Sequence, residues 1–416
     1  MKVLISAYAC EPNRGSEPEI GWQWATHLAQ VCDVTVITRA NNALAINQEL
    51  GKLQGAVPEF VYIDLSWWML KIKKLLRPQS LAVAIYYTCW QRAARRKIAD
   101  LCESERFDVL HHSTFGGYRL AVAVTNHGVP SLVGPVGGCE NFPRELMPDG
   151  YLRSRWVENL RNFLNHCSRR FGYGMGQYQD ATKVLACTRE MDAVFKEWNI
   201  DSEVMANIGM IPSERKMLPE RKTLNEKFRL LFVGRILCWK GLELIVKAVK
   251  LLPENVILTI VGDGPDIPAL RASIRKEGLD ERVELMGSVT RSRVLELYEE
   301  YDVFFFPSMH DSGGFVVLEA MSEGLPVICL DRGGPALAVE EDCGIVVPAG
   351  NKSDTVSRLV SAVHRYMADP DLLEKHGKNA ISRIHTDYSW SAQTRRMQKI
   401  YSDLSILKQQ TVTDDA

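Results

Sequence analysis

Two cationic side chains follow an apolar run in the second half of the chain, on a predicted loop that leads into a helix. Arg235 comes directly after Gly234, and Lys240 precedes Gly241 at the start of the next helical pattern. The backbone amides and the dipole at a helix N-terminus favour anions. Arginine adds a bidentate fork and lysine a point charge, which together suit a diphosphate leaving group that gains negative charge. The alternative is a pair of solvated surface cations.

A second group of candidate residues follows a later apolar run. Asp311 lies on the predicted loop, Gly313 and Gly314 come next, and Phe315 opens a helix that contains Glu319. The two glycines allow backbone amides to approach a ligand closely at a helix N-terminus. A carboxylate inside such a helix can accept hydrogen bonds from ribose hydroxyls, as acidic residues do in dinucleotide folds. The alternative for Glu319 is an exposed charge on the helix surface.

Short and almost wholly apolar runs alternate with helical patterns along the chain, and these elements must position the candidate residues. Such runs predict strands that are covered on both faces, as in a parallel sheet flanked by helices. The predicted strands are residues 3–6, 34–38, 60–63, 109–111, 131–134, 184–187, 230–233, 256–261, 283–286, 303–306 and 327–330. Because the strand–helix order occurs twice, we predict an α/β fold of two Rossmann-like, doubly wound domains that face each other across a cleft.

The length of the chain predicts more than one domain. Its 416 residues exceed what one hydrophobic core usually holds. We predict an N-terminal domain at 1–207 and a C-terminal domain at 208–385. We further predict a helix at 386–408 that crosses back to the N-terminal domain, and a flexible tail at 409–416.

Charge and hydropathy exclude two classes of protein. The net charge of −1 leaves no excess of lysine and arginine to neutralise the phosphates of a nucleic acid, so no nucleic-acid partner is predicted. No uninterrupted apolar stretch is long enough to span a membrane, and the first residues read as a strand rather than a signal peptide. The expected location is the cytoplasm.

The ordered motifs of the second half resemble those of glycosyltransferase family 4, a large family of retaining hexosyltransferases with the two-domain GT-B fold. The family pattern begins with Gly-Arg and Lys-Gly, which stand here within 234–241. It continues with two carboxylates eight positions apart, here Asp311 and the glutamate of Glu-Ala-Met at 319–321, and then with Gly-Leu-Pro at 324–326. The resemblance covers most of residues 228–350, in the order and spacing of the family.

The resemblance implies a role for each charged residue. Arg235 and Lys240 would bind the diphosphate of a nucleotide-sugar donor, and Glu319 would hold its ribose. Asp311 would contact hydroxyl groups of the donor sugar near the reacting carbon. It stands where the family has glutamate, and its side chain keeps the charge but is one methylene shorter.

Further donor-binding positions are implied on both halves of the chain. Ser288 and Val289 lie where the family reads the base through main-chain groups, and Gly15 lies on a first loop that resembles the family's glycine-rich phosphate loop. The complete set of implied donor-binding residues is Gly15, Gly234, Ser288, Val289, Gly313, Gly314, Phe315 and Glu319.

Two adjacent histidines end the fourth predicted strand. Family members commonly carry a histidine at this strand end, pointing into the cleft near the sugar. Neighbouring side chains of an extended chain face opposite ways, so one of His111 and His112 is expected to meet the cleft while the other packs. We favour His111 as the ring that meets the cleft. The alternative is that both are hydrogen-bonded core histidines.

The predicted function is transfer of a hexose from a nucleotide-diphosphate sugar to a glycan or lipid-linked acceptor. A glycine-rich run at 134–138 resembles that of family members acting on surface polysaccharides or lipid-linked sugars. Because Arg235 and Lys240 can replace a divalent cation at the diphosphate, we predict that no metal or other cofactor takes part. A sugar-nucleotide epimerase of the same fold and a non-catalytic carbohydrate-binding subunit remain alternatives. A nicotinamide oxidoreductase is disfavoured because the first loop lacks Gly-x-Gly-x-x-Gly.

Two segments have the pattern of basic amphipathic helices, which can lie on anionic lipid. The first, at 67–77, gathers Trp68, Ile72, Leu75 and Leu76 on one side, largely opposite Lys73, Lys74 and Arg77. The second, at 153–171, has an apolar stripe among its arginines that comprises Trp156, Leu160, Phe163, Leu164, Cys167 and Phe171. We predict peripheral association with the inner face of a membrane. The alternative is that the stripes pack on the domain core.

Overall fold

The computed structural model describes residues 1–67, 69, 71, 79–212 and 227–414. The segment at 67–77, predicted to be amphipathic, falls mostly outside these ranges, together with the named residues Trp68, Ile72, Lys73, Lys74, Leu75, Leu76 and Arg77. Among the described residues, no helix is both long enough and apolar enough to cross a bilayer.

Strands and helices alternate through the described chain. The strands are β1 (Lys2–Ser6), β2 (Asp33–Arg39), β3 (Glu59–Ile63), β4 (Val109–His112), β5 (Ser131–Val136), β6 (Lys183–Ala186), β7 (Ser202–Val204), β8 (Phe228–Val233), β9 (Val256–Val261), β10 (Val283–Gly287), β11 (Val303–Phe306), β12 (Val327–Leu330) and β13 (Gly344–Val347). The α-helices are α1 (Ser16–Ala29), α2 (Ala43–Leu50), α3 (Gln79–Ser104), α4 (Leu152–Phe171), α5 (Gly176–Gln179), α6 (Arg189–Glu197), α7 (Leu242–Leu251), α8 (Ile267–Glu277), α9 (Arg291–Glu300), α10 (Phe315–Ser322), α11 (Pro335–Ala338), α12 (Lys352–Ala368), α13 (Pro370–Arg383) and α14 (Trp390–Asp414).

The first of two compact units comprises Met1–Cys139, Cys167–Ile208 and the chain from Trp390 onward. Its sheet is parallel throughout, in the order β3-β2-β1-β4-β5-β6-β7. Within β1, Leu4 belongs to the hydrophobic cluster on one face of the sheet, and its neighbours Val3 and Ile5 belong to the cluster on the other. Both faces are therefore buried, which is why these strands read as continuous apolar runs.

The second unit comprises Glu140–His166 and Gly209–Ser389. Its parallel sheet has the order β10-β9-β8-β11-β12-β13. The chain moves outward from β8 to β10 on one side and from β11 to β13 on the other. Each unit thus has the doubly wound, Rossmann-like topology that was predicted, and the α/β class is confirmed.

The predicted strands are all present, within two residues of the predicted bounds at each end. The sequence analysis missed β7 and β13, each of which is one of the two edge strands of its sheet. Residues of these strands are partly exposed, in contrast to the wholly buried β4, β5 and β11. β7 and β13 have only three and four residues and are not wholly buried, so their apolar runs are short and give a weak sequence signal.

The division after Ile208 lies one residue from the predicted boundary at 207, but the predicted N-terminal domain is interrupted. Residues 140–166 were assigned to the N-terminal domain, but they belong to the second unit. Hydrogen bonds described below join this segment to loops of the second sheet, and sequence order alone does not reveal them. The last helix starts at Trp390 and is grouped with the first unit, and it continues to Asp414, through most of the segment predicted as a flexible tail.

Candidate functional site

The neighbouring strands β8 and β11 form the switch point of the second sheet. Connections from these two strands run to opposite sides, so the loops at their carboxyl ends separate and leave a crevice. The loop after β8 carries Gly234, Arg235 and Lys240, and the loop after β11 carries Asp311. Residues that are 71 positions apart are thereby placed at one edge of the sheet.

Lys240 and Asp311 are in direct contact. The Lys240 ammonium donates a hydrogen bond to Oδ2 of Asp311, and both side chains are largely buried. The ammonium also lies over two aromatic rings, 4.3 Å from the centroid of Trp239 and 4.8 Å from that of Phe306. Such cation–π contacts stabilise a desolvated charge. An ammonium has three N–H donors, so the bond to Asp311 leaves others for a ligand.

Gly241 explains how the two loops approach so closely. Its φ of 76° lies in the left-handed region, and a Cβ at this position would overlap the carbonyl oxygen of Pro307. Glycine adopts this conformation without the penalty that other residues incur. Helix α7 begins at the next residue, so Gly241 fixes Lys240 beside the start of a helix.

Asp311 also organises the glycine-rich turn that follows it. Its Oδ1 accepts a hydrogen bond of 3.0 Å from the amide of Gly314, and its backbone carbonyl accepts one of 2.7 Å from the amide of Gly334. Gly314 has a φ of 60° and directly precedes α10, whose first residue is Phe315. The predicted positions Asp311, Gly313, Gly314 and Phe315 thus form one continuous turn at a helix N-terminus.

Glu319 lies inside α10 and is only 8% exposed. One carboxylate oxygen is 3.1 Å from the guanidinium of Arg291, and the other accepts a hydrogen bond of 3.5 Å from the Tyr298 hydroxyl. Burial raises the pKa of Glu319, and the charge of Arg291 opposes this rise. Glu319 is therefore a buried carboxylate paired with Arg291, and not the exposed surface charge that the sequence left as the alternative.

Arg291 connects Glu319 to the predicted base-reading residues. Ser288 is exposed and Val289 is half-buried. The Thr290 side chain caps α9 by accepting a hydrogen bond from the amide of Arg293. Arg291 is the first residue of that helix, so the loop with Ser288 and Val289 ends at a side chain that contacts Glu319. The sequence analysis missed Arg291, for which the available signal was its position two residues after Val289.

The segment 140–166 holds the loop that carries Asp311 through two side-chain contacts. Nε2 of His310 lies 2.9 Å from Oε2 of Glu158, and the His310 ring stacks on Trp239 at 4.4 Å. Ser312 donates a hydrogen bond of 3.0 Å to Glu140. His310 and Ser312 flank Asp311, so the position of that carboxylate depends on these two contacts. The sequence analysis missed these contacts because their partners are more than 150 positions apart.

The loop after β12 packs its backbone against that of Asp311 and carries a further arginine. The backbone of Gly333 packs so closely on that of Asp311 that a Cβ would overlap its carbonyl oxygen. The preceding residue is Arg332, and its Nε is buried without a hydrogen-bond partner among the described residues. The sequence analysis also missed Arg332.

Gly15 lies on the loop after β1 in the first unit. It is exposed, with a φ of 67°, and directly precedes α1. A Cβ at this position would meet nothing within 4 Å, so glycine is needed here for backbone conformation and not for space. In the next turn, Glu17 accepts a hydrogen bond of 3.2 Å from the amide of Phe115, and burial raises the pKa of Glu17 to about 7.

The two histidines of β4 are buried, contrary to the expectation that one of them, His111, meets a cleft. His111 lies 2.6 Å from the Tyr401 hydroxyl through Nδ1 and 2.7 Å from the Gly134 carbonyl through Nε2, and His112 lies 3.3 Å from the Tyr87 hydroxyl. Burial lowers the pKa of His111 to about 4 and that of His112 to about 3. The reason is that helices cover both faces of this central strand, with Tyr401 on α14 and Tyr87 on α3.

Two doubly wound parallel sheets, with charged and glycine-rich loops at a switch point, are the architecture of the GT-B fold. Residues 214–383 match the family described as glycosyl transferases group 1.

Two curated relatives and a solved structure agree with this assignment. The chain is 30% identical over 198 residues to the alpha-D-kanosaminyltransferase of Streptomyces kanamyceticus. The aligned residues make up 47% of this chain and 50% of that protein. It is 29% identical over 224 residues to the lipopolysaccharide core biosynthesis glycosyltransferase LpsD of Rhizobium meliloti, covering 53% of this chain and 63% of that protein. The chain thus spans about half the length of the curated relatives it matches. The structure of HepE from Anabaena in complex with UDP and glucose superposes with a TM-score of 0.59 at 16% sequence identity. The superposition covers 97% of this chain and 100% of the HepE chain.

Proposed function

We propose that this protein is a retaining glycosyltransferase that moves a hexose from a nucleotide-diphosphate sugar to a glycan or lipid-linked acceptor. One observation carries the proposal. Lys240, with spare N–H donors, meets Asp311 at the switch point of the second sheet, immediately before a helix that buries Glu319. A cation, a sugar-facing carboxylate and a ribose-facing carboxylate are the groups that a nucleotide sugar requires.

The donor is held by charge at its phosphates and by hydrogen bonds at its ribose. Lys240 and the exposed Arg235 bind the diphosphate, on which negative charge builds as the bond to the sugar breaks. Glu319 accepts hydrogen bonds from the ribose hydroxyls, and Arg291 holds its carboxylate in place. The UDP and glucose named in the HepE complex are consistent with a donor of this chemical class.

The reaction takes place on one face of the donor sugar. The acceptor hydroxyl attacks the anomeric carbon from the side on which the diphosphate leaves, so the new C–O bond has the configuration of the broken one. The electron pair of the broken bond goes to the departing phosphate, and the acceptor's proton passes to an oxygen of that phosphate. Asp311 orients the donor sugar through its hydroxyl groups and keeps Lys240 aligned.

Lysine and arginine, rather than a divalent cation, stabilise the leaving group in this proposal. The chain contains an Asp-x-Asp sequence at 369–371, which resembles a metal-binding pattern. There, however, Asp369 caps α13 by accepting a hydrogen bond of 2.9 Å from the amide of Leu372. The acceptor class draws support from the relative that is named for lipopolysaccharide core biosynthesis.

A thermal-shift screen across nucleotide sugars tests donor binding. A ligand that binds the folded protein raises the midpoint temperature by mass action. We expect a rise with one nucleotide sugar, a smaller rise with the matching nucleoside diphosphate, and no dependence on added chelator. Indifference to every nucleotide sugar contradicts the proposal.

A turnover assay with the ligand identified in the screen then tests transfer. Release of the nucleoside diphosphate is measured with and without candidate glycan and glycolipid acceptors. Acceptor-dependent release is the expected result. Conversion of the donor without acceptor indicates an epimerase or hydrolase, and binding without turnover indicates a carbohydrate-binding subunit.

A further inference from the structure

An ordinary surface helix buries an apolar face and exposes a polar one. Helix α4 does the opposite and exposes its apolar face. The apolar stripe predicted at 153–171 points to solvent. Trp156 is 67% exposed, Phe163 61% and Phe171 78%, and Val157, Leu160 and Leu164 are exposed as well. The alternative left open by the sequence, that this stripe packs on the domain core, is wrong. We call Trp156, Val157, Leu160, Phe163, Leu164 and Phe171 the outer face of α4.

The inner face of α4 is polar, and hydrogen bonds satisfy it. Glu158 and Asn165 are buried, and Ser154 is half-buried. Glu158 pairs with His310. Asn165 donates a hydrogen bond of 2.9 Å to Asn141, and Ser154 donates one of 2.8 Å to Asp266. These bonds fix which side of the helix faces the protein. The exposure of the outer face is therefore enforced by specific contacts on the opposite side.

A continuous apolar strip of this size on a surface marks an interaction site. We infer that the outer face of α4 docks on an anionic lipid bilayer. The inference does not depend on the sugar chemistry proposed above.

Charge favours lipid as the occupant. The helix sequence has five arginines and one acidic residue, Glu158, which is buried on the inner face. Arg170 is exposed on the same side as Phe163, seven positions earlier, and Arg155 and Arg161 are half-buried. Arg161 and Arg169 face Glu140 and Glu197, whereas Arg155 and Arg170 form no ion pair among the described residues. The apolar strip therefore keeps unpaired positive charge at its border, which is complementary to acyl chains beneath anionic headgroups. A second copy of the chain would bring the same arginines against each other.

The docking surface is tied to the candidate site through the inner face. His310 immediately precedes Asp311, and Asp266 accepts a hydrogen bond of 2.7 Å from the amide of Cys238 on the Lys240 loop. The helix that would lie on the bilayer thus contacts the Asp311 loop directly and is joined to the Lys240 loop through Asp266. Docking would hold these loops near the surface where a lipid-linked acceptor is presented, and this consequence rests on the proposed function.

Vesicle flotation with the full chain tests the inference. Phosphatidylcholine vesicles are compared with vesicles of equal parts phosphatidylcholine and phosphatidylglycerol, at low and high salt. We expect binding to the anionic vesicles, weakened by salt, and little binding to the neutral ones. In the double variant Trp156→Ser, Phe163→Ser the partition coefficient should fall at least tenfold. Absence of wild-type binding at low salt, or unchanged binding of the variant, overturns the inference.

Matched controls separate docking from folding and from self-association. Leu44→Ser and Leu251→Ser remove side chains that are 72% and 61% exposed elsewhere, and should leave flotation unchanged. The conservative pair Trp156→Phe, Phe163→Leu should retain it. Sedimentation velocity should show the wild type as a monomer without vesicles. A dimer that dissociates in the Trp156→Ser, Phe163→Ser variant would instead assign this face to a second copy.

The nucleotide-sugar thermal shift of the same variants keeps the two proposals apart. The outer-face residues do not line the candidate donor site, so the shift should equal that of the wild type. Loss of vesicle binding with a retained shift supports docking. A normal shift in a wild type that does not float refutes docking and leaves the proposed function standing.

Discussion

His310 and Glu158 form a buried pair in which Nε2 of the imidazole donates to a carboxylate oxygen 2.9 Å away. The glutamate lies on α4, and the histidine immediately precedes Asp311. The pair therefore links a helix from the first half of the sequence to the loop that carries a candidate catalytic carboxylate in the second half. It also accounts for the assignment of residues 140–166 to the second unit.

The first prediction concerns the stability supplied by this pair. Glu158→Leu leaves the buried His310 ring without its acceptor and should cost about 1–3 kcal/mol of unfolding free energy. Glu158→Gln keeps an acceptor oxygen and should cost less. Urea denaturation measures both. The control is Glu197→Gln, which removes an exposed partner of Arg169 and should change stability by no more than about 1 kcal/mol. A Glu158→Leu protein as stable as the wild type would show that the pair is energetically unimportant.

The second prediction concerns leaving-group stabilisation by Lys240. Lys240→Ala should remove about 2–4 kcal/mol of transition-state stabilisation, which corresponds to a loss of roughly 30-fold to 10³-fold in kcat/KM. Steady-state kinetics with the identified donor gives the measurement. Lys250→Ala is the matched control at the other end of α7, where the exposed ammonium bonds only the Glu277 carbonyl among the described residues. Near-normal turnover of the Lys240 variant would contradict the assigned role.

The third prediction concerns the binding of ribose by Glu319. Hydrogen bonds to a charged group are worth about 1.5–3 kcal/mol, so Glu319→Gln should weaken nucleotide-sugar binding roughly tenfold to 100-fold. Arg291→Ala should weaken it in the same direction, because it releases the carboxylate from its ion pair. Calorimetric titration of the donor measures both dissociation constants. Replacement of the exposed Glu341 by glutamine should leave affinity unchanged, and equal affinity of the Glu319 variant would remove this residue from the site.

The fourth prediction concerns the pH dependence of stability. Burial lowers the pKa of His111 from 6.5 to about 4, so between these values the unfolded chain binds a proton that the folded chain does not. The contribution of His111 is complete above pH 6.5 and is lost as pH falls towards 4. The wild type should be less stable at pH 5 than at pH 7.5 by about 2 kcal/mol from this group, and His112 acts in the same direction.

His111→Gln tests the sign and the size of this effect. The glutamine does not titrate, so the difference in unfolding free energy between pH 5 and pH 7.5 should shrink by about 2 kcal/mol, whatever the absolute stability of the variant. The surface variant His364→Gln serves as the control for handling and buffer effects. An unchanged pH slope in His111→Gln would mean that the ring is not buried in neutral form.

The local parts of the candidate site could be read from the sequence. Gly234, Arg235, Lys240 and Gly241 follow one strand, and Asp311 to Glu319 follow another, in a fixed order. Strand ends and helix starts depend on short-range patterns, and the carboxyl ends of parallel strands meet at one edge of a sheet. That Lys240 and Asp311 lie at one edge was therefore predictable. Their direct ion pair was not, since it depends on side-chain packing around Trp239 and Phe306.

The sequence by itself determined the α/β class, two parallel sheets and the loops that carry the charged residues, because burial on both faces leaves apolar runs that repeat along the chain. Only the tertiary structure decided which face of α4 is exposed, that both histidines of β4 are buried, and that residues 140–166 belong to the second unit. A helical stripe has the same spacing whether it faces the core or the solvent. The partners that decide between them, such as His310 for Glu158, lie far away in the chain.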